Sequence, residues 1–139
     1  MNTLVIFYSL NGKTYKEAKR IANELGAERY RVVERKPRSA LGAATIGRIE
    51  AKERAVSHID PIAVRLSDYD RVVLMAPLWG GYPAPAFNNM VMELEKGQEV
   101  GIVLTSEEGE LKDEEGLIRF VEKTGAKVIG VSVMNIGKK

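Results

Sequence analysis

Residues 4–14 read Leu4-Val5-Ile6-Phe7-Tyr8-Ser9-Leu10-Asn11-Gly12-Lys13-Thr14, and this stretch decides the fold. Its first five residues form a short apolar run that suits a strand buried on both faces, as in a parallel sheet. A polar turn follows, with Gly12 free to take a tight conformation. Beyond it Tyr15, Ala18, Ala22 and Leu25 recur at three and four residues, Ile21 joins their face, and Gly26 stops the helix. Strand, turn and helix in direct succession open an alternating α/β chain.

Further along, Val72–Ala76, Val100–Leu104 and Val128–Val133 repeat the first run's character and are expected to be strands buried on both faces. Tyr30–Glu34 carries Arg31 and Glu34, so an edge strand is expected there. Ser39–Ser57, rich in Ala and aliphatic residues, predicts a helix with a mobile start at Arg38–Gly42. Phe87, Met90, Val91 and Leu94 predict another, ended by Gly97. Leu117, Phe120, Val121 and Thr124 predict the last, capped by Asp113 and ended by Gly125. Alternating strands and helices force right-handed crossovers and a parallel sheet. Five strands in this succession fit a doubly wound order 2-1-3-4-5, over one domain spanning residues 1–139.

Composition narrows the chemistry. There is no cysteine, which excludes disulfides, iron–sulfur ligation and thiolate catalysis. The one histidine, His58, precludes a multi-histidine metal site, and no metal is expected. The net charge is only +2, with Lys and Arg interleaved among Asp and Glu, which argues against a nucleic-acid partner. No apolar run approaches the roughly 20 residues that cross a bilayer, so a cytoplasmic protein without membrane contact is expected.

Ligands of open parallel sheets sit beyond the carboxyl ends of the strands, where strand order reverses. Three loops therefore matter. Ser9, Leu10, Asn11, Gly12, Lys13 and Thr14 place free backbone N–H groups at a helix start, with hydroxyl and amide donors beside them, a chemistry that suits phosphate; a plain strand-to-helix turn and cap would use the same residues. Pro77, Leu78, Trp79, Gly80, Gly81 and Tyr82 offer an apolar surface and freely orientable peptides, although Trp79 would also serve as core packing. Thr105, Ser106, Glu107 and Gly109 belong to a polar, acidic loop that suits a pocket rim or a solvated turn.

Other phosphate motifs fail. A nucleotide P-loop ending in Gly12-Lys13-Thr14 needs glycine where Phe7 stands, and a dinucleotide fingerprint needs three spaced glycines where this loop has one. A phosphoryl receiver needs Asp at the ends of the first and third strands, which here read Tyr8-Ser9 and Ala76-Pro77.

The opening at residues 4–14, together with Tyr69–Pro85 as third strand and following loop, resembles the flavodoxin family over nearly the whole chain. The resemblance implies a three-layer α/β sandwich with non-covalent flavin mononucleotide (FMN). Its phosphate would lie on Ser9–Thr14 and its ring between Pro77–Tyr82 and Thr105–Gly109, with Trp79 or Tyr82 packed on the ring. Gly80-Gly81 would permit the redox-linked peptide flip of that family. Two departures stand out: flavodoxins are strongly acidic and this chain is not, and Thr105–Glu110 lacks their usual aromatic residue. The resemblance thus implies electron transfer with a redox partner protein or a small-molecule acceptor. The alternatives are an FMN-dependent NAD(P)H:quinone-type oxidoreductase and a binding module that has lost the cofactor. No residue presents itself as a general acid or base.

Overall fold

A computed structural model describes residues 2–137. The elements are β1 (Thr3–Tyr8), α1 (Lys13–Leu25), β2 (Glu28–Val32), α2 (Ala40–Gly42), a π-helical turn (Ala43–Gly47) and α3 (Arg48–Lys52). They continue as β3 (Arg71–Trp79), β4 (Tyr82–Pro83), α4 (Pro85–Val91), β5 (Glu99–Ser106), α5 (Glu114–Glu122) and β6 (Lys127–Asn135). The five long strands are all parallel, in the order β2-β1-β3-β5-β6, and β4 is a two-residue antiparallel appendage of β3. This is the expected 2-1-3-4-5 sheet with one short strand added.

The apolar runs explain the layers. Leu4, Ile6, Val72, Leu74, Val100, Ile102 and Leu104 point to one face, where Ala43, Ala51, Phe87, Met90, Leu117 and Val121 cover them. Val5, Phe7, Val73 and Met75 point to the other, under Ala18 and Ala22 of α1. A side chain such as Phe87, with no exposure, contributes about 1.5–3 kcal/mol by burial. Gly26 ends α1 in a left-handed conformation while the Ala27 N–H reaches back to the Ala22 carbonyl at 2.8 Å. Asp113 caps α5 by accepting from the Gly116 N–H.

Several sequence expectations are corrected. β2 begins at Glu28, two residues early, and Glu34 lies beyond it, buried rather than at a solvated edge. Val128–Val133 is not covered on both faces: β6 is the second sheet edge, and Ile129 and Val133 are 45% and 40% exposed. Leu25, the last residue of α1, is half exposed rather than in the core. The helix within Ser39–Ser57 runs from Ala40 to Lys52 with a π-turn in its middle, where Gly42, Thr45 and Gly47 are weak helix formers. Its first turn is capped, the Ser39 hydroxyl accepting from the Gly42 N–H at 3.0 Å. α4 stops at Val91, and Leu94 keeps its buried place from a following turn.

Candidate functional site

The turn after β1 is built from its own polar groups. The Gly12 N–H donates to Ser9 Oγ at 3.0 Å and the Lys13 N–H to Asn11 Oδ1 at 3.2 Å. Gly12 takes φ 90°, and a Cβ placed there would meet no atom within 4 Å. Two of the four amides that a helix start leaves unpaired are thus satisfied locally, which leaves those of Thr14 and Tyr15. The buried Thr14 and Thr105 hydroxyls lie 2.7 Å apart and lock this turn to the end of β5.

The second loop is a hairpin. β3 and β4 pair through Leu78↔Pro83 and Trp79↔Tyr82, so Gly80 and Gly81 form a two-residue turn with φ 66° and 95°. Both angles lie in the left-handed region that this tight hairpin demands. The Lys112 N–H donates to the Gly81 carbonyl at 2.8 Å. Arg48 passes so close to Gly80 that a Cβ would stand 2.8 Å from its Nε and displace the guanidinium, while the φ of 66° is what favours glycine there. Pro77 lies within β3 opposite Thr105. Tyr82 packs under Arg54, whose guanidinium stands 5.8 Å from its ring centroid and 5.7 Å from that of Phe120 on α5.

Trp79 is only 9% exposed. Tyr8 meets it edge-on at 6.0 Å between centroids, the Arg38 guanidinium lies 5.4 Å over it, and Gly47 of the π-turn abuts its six-membered ring. It is a floor for the site rather than a free stacking platform. Nearby, Glu34 accepts from the Tyr8 hydroxyl at 2.6 Å, from Arg38 Nε at 2.9 Å and from the Ser57 hydroxyl. Burial, reinforced by the Glu34 hydrogen bond, pushes the Tyr8 phenol above its ordinary range.

In the third loop, the Ser106 hydroxyl sits within hydrogen-bond reach of the Glu108 and Gly109 carbonyls and holds the turn closed. Glu107 reaches back across the mouth to Lys13 Nζ at 2.7 Å and to Asn11 Nδ2 at 3.3 Å. The Lys13 ammonium holds its carboxyl below the usual carboxylate range, against a smaller opposing effect of burial.

These loops enclose a cleft of about 790 Å³ at the carboxyl ends of β1, β3 and β5, within the span usual for small-molecule sites. Of the residues expected from sequence, Leu10, Asn11, Lys13, Thr14, Pro77, Leu78, Trp79, Gly80, Gly81, Thr105, Glu107 and Gly109 line it together. Ser9, Gly12, Ser106 and Tyr82 stand behind that wall as supports. The expectation missed the far wall, made by Ala40, Ala43, Ala44 and Arg48, and also Lys112 and Ile136. Alanines carry no chemical signature; the signal available was the small-residue run Gly42-Ala43-Ala44, which lets a backbone approach closely.

A parallel sheet in this order, with its cleft at the switch point between β1 and β3, has the flavodoxin-like doubly wound fold. Solved structures of that fold superpose on the chain. A flavoprotein from Lactobacillus acidophilus NCFM, determined in complex with FMN, is 22% identical with a TM-score of 0.73, over 95% of this chain and 92% of its own. A candidate flavoprotein from Bacteroides uniformis ATCC 8492 is 19% identical with a TM-score of 0.83, over 99% and 92%. Two-electron reduced Megasphaera elsdenii flavodoxin is 17% identical with a TM-score of 0.63, over 99% and 88%. At these identities the likeness establishes the fold. No family model and no curated protein matches the sequence.

Proposed function

We propose that the chain binds FMN in this cleft and serves as an electron-transfer flavoprotein. The observation that carries the reading is the convergence of the three loops on one cleft at the switch point. The FMN complex of the Lactobacillus neighbour supports it. The donor set also fits: the open space at Gly12 and the remaining amides of Thr14 and Tyr15 suit a phosphate, and the cleft beyond them is broad and half apolar. Once bound, FMN supplies the redox chemistry, and the protein tunes it.

The protein's own groups would act as follows. Ser9–Thr14 would hold the phosphate, with Lys13 adding charge and Glu107 fixing the lysine. Pro77–Gly81 and Thr105–Gly109 would flank the ring, over the Trp79 floor and against Ala40, Ala43 and Ala44. Glu107, Glu108 and Glu110 bring negative charge to the cleft lining, and Arg48 and Lys112 bring positive charge. The balance sets the local field felt by charge that develops on the ring. A redox protein or a small-molecule acceptor would meet the ring at the open mouth. Because the third loop has no aromatic side chain to cover that mouth, a second reading is an NAD(P)H-dependent quinone-type reductase. Rapid bleaching of the flavin on mixing with NADPH selects this reading, and no bleaching on a catalytic timescale removes it.

The test is direct. Purified protein should carry, or take up from added FMN at one equivalent per chain, the absorbance of an oxidised flavin. Folded protein that takes up none rules the proposal out.

A further inference from the structure

Glu34 is a buried carboxylate outside the cleft lining, 5% exposed. Its two oxygens are used differently. Oε2 accepts from Arg38 Nε and from the Ser57 hydroxyl. Oε1 accepts from the Tyr8 hydroxyl at 2.6 Å. Tyr8 is itself buried, and its ring meets Trp79 edge-on with 6.0 Å between centroids. Trp79 lines the cleft and is the only tryptophan of the chain. A continuous line thus runs from the cleft floor through an indole and a phenol to a carboxylate.

The charges along this line point one way. The Arg38 guanidinium lies 5.4 Å over the Trp79 ring. A cation there favours the electron-rich ring and disfavours a positive hole on it. The Glu34 carboxylate does the reverse for Tyr8, because it can take the phenolic proton as the ring loses an electron. Burial, reinforced by the Glu34 hydrogen bond, keeps that proton on the phenol until then. Tyr82, the partner of Trp79 across the hairpin, has a cation beside it instead, the Arg54 guanidinium at 5.8 Å. A tryptophan radical oxidises tyrosine at neutral pH, so a hole on Trp79 has a downhill path to Tyr8.

We propose that Trp79 and Tyr8 form a redox relay: when a one-electron radical oxidant enters the cleft, the electron it takes from Trp79 is replaced by one from Tyr8, and the Tyr8 proton passes to Glu34 Oε1. In balance, the oxidant gains one electron, Trp79 is restored, Tyr8 becomes a neutral phenoxyl radical and Glu34 is protonated. Any proton the indole releases in between returns to it from water. The relay carries oxidising equivalents away from the cleft floor. It uses these side chains alone, so it stands or falls separately from the FMN reading.

Azide radicals generated by pulse radiolysis oxidise tryptophan in preference to tyrosine, and they are applied to the full chain before any FMN is added. The indolyl absorbance should give way to tyrosyl absorbance at a rate independent of protein concentration and slower in deuterated water. Tyr8→Phe should abolish the conversion and leave the indolyl radical standing. Tyr82→Phe should leave the conversion unaltered, and Glu34→Gln should slow it by about 100-fold. The wild-type isotope effect and the Tyr82 variant decide the matter if the buried variants fail to fold. An indolyl radical that persists in the wild type, conversion that survives Tyr8→Phe or is lost in Tyr82→Phe, or a rate indifferent to deuterium or to Glu34→Gln would overturn the proposal.

Discussion

The same strands end in two very different ways. At their amino ends the chain closes on itself. The Gln98 side chain donates to the Leu66 and Tyr69 carbonyls at 2.6 and 2.8 Å, its oxygen accepts from the Glu95 N–H, and the Asn2 N–H donates to Asp70. At their carboxyl ends the loops are tied to one another only through Thr14 with Thr105 and Lys13 with Glu107, and a cleft stays open beside these ties. The polar groups of the amino end are spent on the fold. Those of the carboxyl end keep unpaired amides and charges of both signs facing open space. The difference teaches where stability and binding can be separated.

The largest expected effect lies at the closed end. Gln98→Ala would remove the buried side chain that bonds three backbone groups, those of Leu66, Tyr69 and Glu95, at about 2–3 kcal/mol of stability, while FMN affinity measured below the unfolding transition stays at the wild-type value. A change in affinity there would break the contrast between the ends. Next comes Gly47→Val, where even a Cβ would stand 2.9 Å from the Trp79 ring. Overpacking should cost about 2 kcal/mol in chemical denaturation, and here affinity should fall too, because the floor of the cleft moves.

At the open end the order reverses. Gly12→Val forces a branched side chain into φ 90° and fills the space beside the phosphate turn. It should weaken FMN binding more than Thr14→Ala, which loses one buried hydroxyl pair worth about 1–2 kcal/mol. Fluorescence titration of both variants checks the order, and unchanged affinity in Gly12→Val refutes the phosphate assignment. The smallest effect is the pH dependence of the bridge across the mouth. The Glu107 carboxyl titrates below its ordinary value when folded, so its contribution is present above the unfolded carboxylate range and fades as pH falls through the lowered value. Both side chains are about half exposed, so the effect should be slight. Denaturation of Glu107→Gln across that range should lose only this part of the acid sensitivity.

Much of this was legible in the sequence, for reasons that differ by region. Leu4–Tyr8 and its counterparts announce buried strands because a parallel sheet hides both faces of its inner strands. The three loops follow from strand order alone. β6 misled because apolar content alone does not tell an inner strand from an edge. Glu34 misled because a charged residue reads as solvated, and only the fold supplies the Tyr8, Arg38 and Ser57 donors that make its burial tolerable. Trp79 was placed at the cleft, but whether its ring is free depends on Arg38 and Gly47, which arrive from the distant segment of the α2 loop and the π-turn after it. The hairpin at Gly80-Gly81 was the missed local signal, since paired glycines between apolar residues favour a two-residue turn.

The phosphate turn is where the account is most exposed. Comparing FMN with riboflavin, which has the same ring and no phosphate, isolates it in wild-type protein by a single pair of titrations. The turn at residues 9–14 predicts FMN binding tighter by a factor of about 100, near 3 kcal/mol. Equal affinity for the two would mean that the turn contacts no phosphate, and would contradict the placement of the cofactor in the cleft.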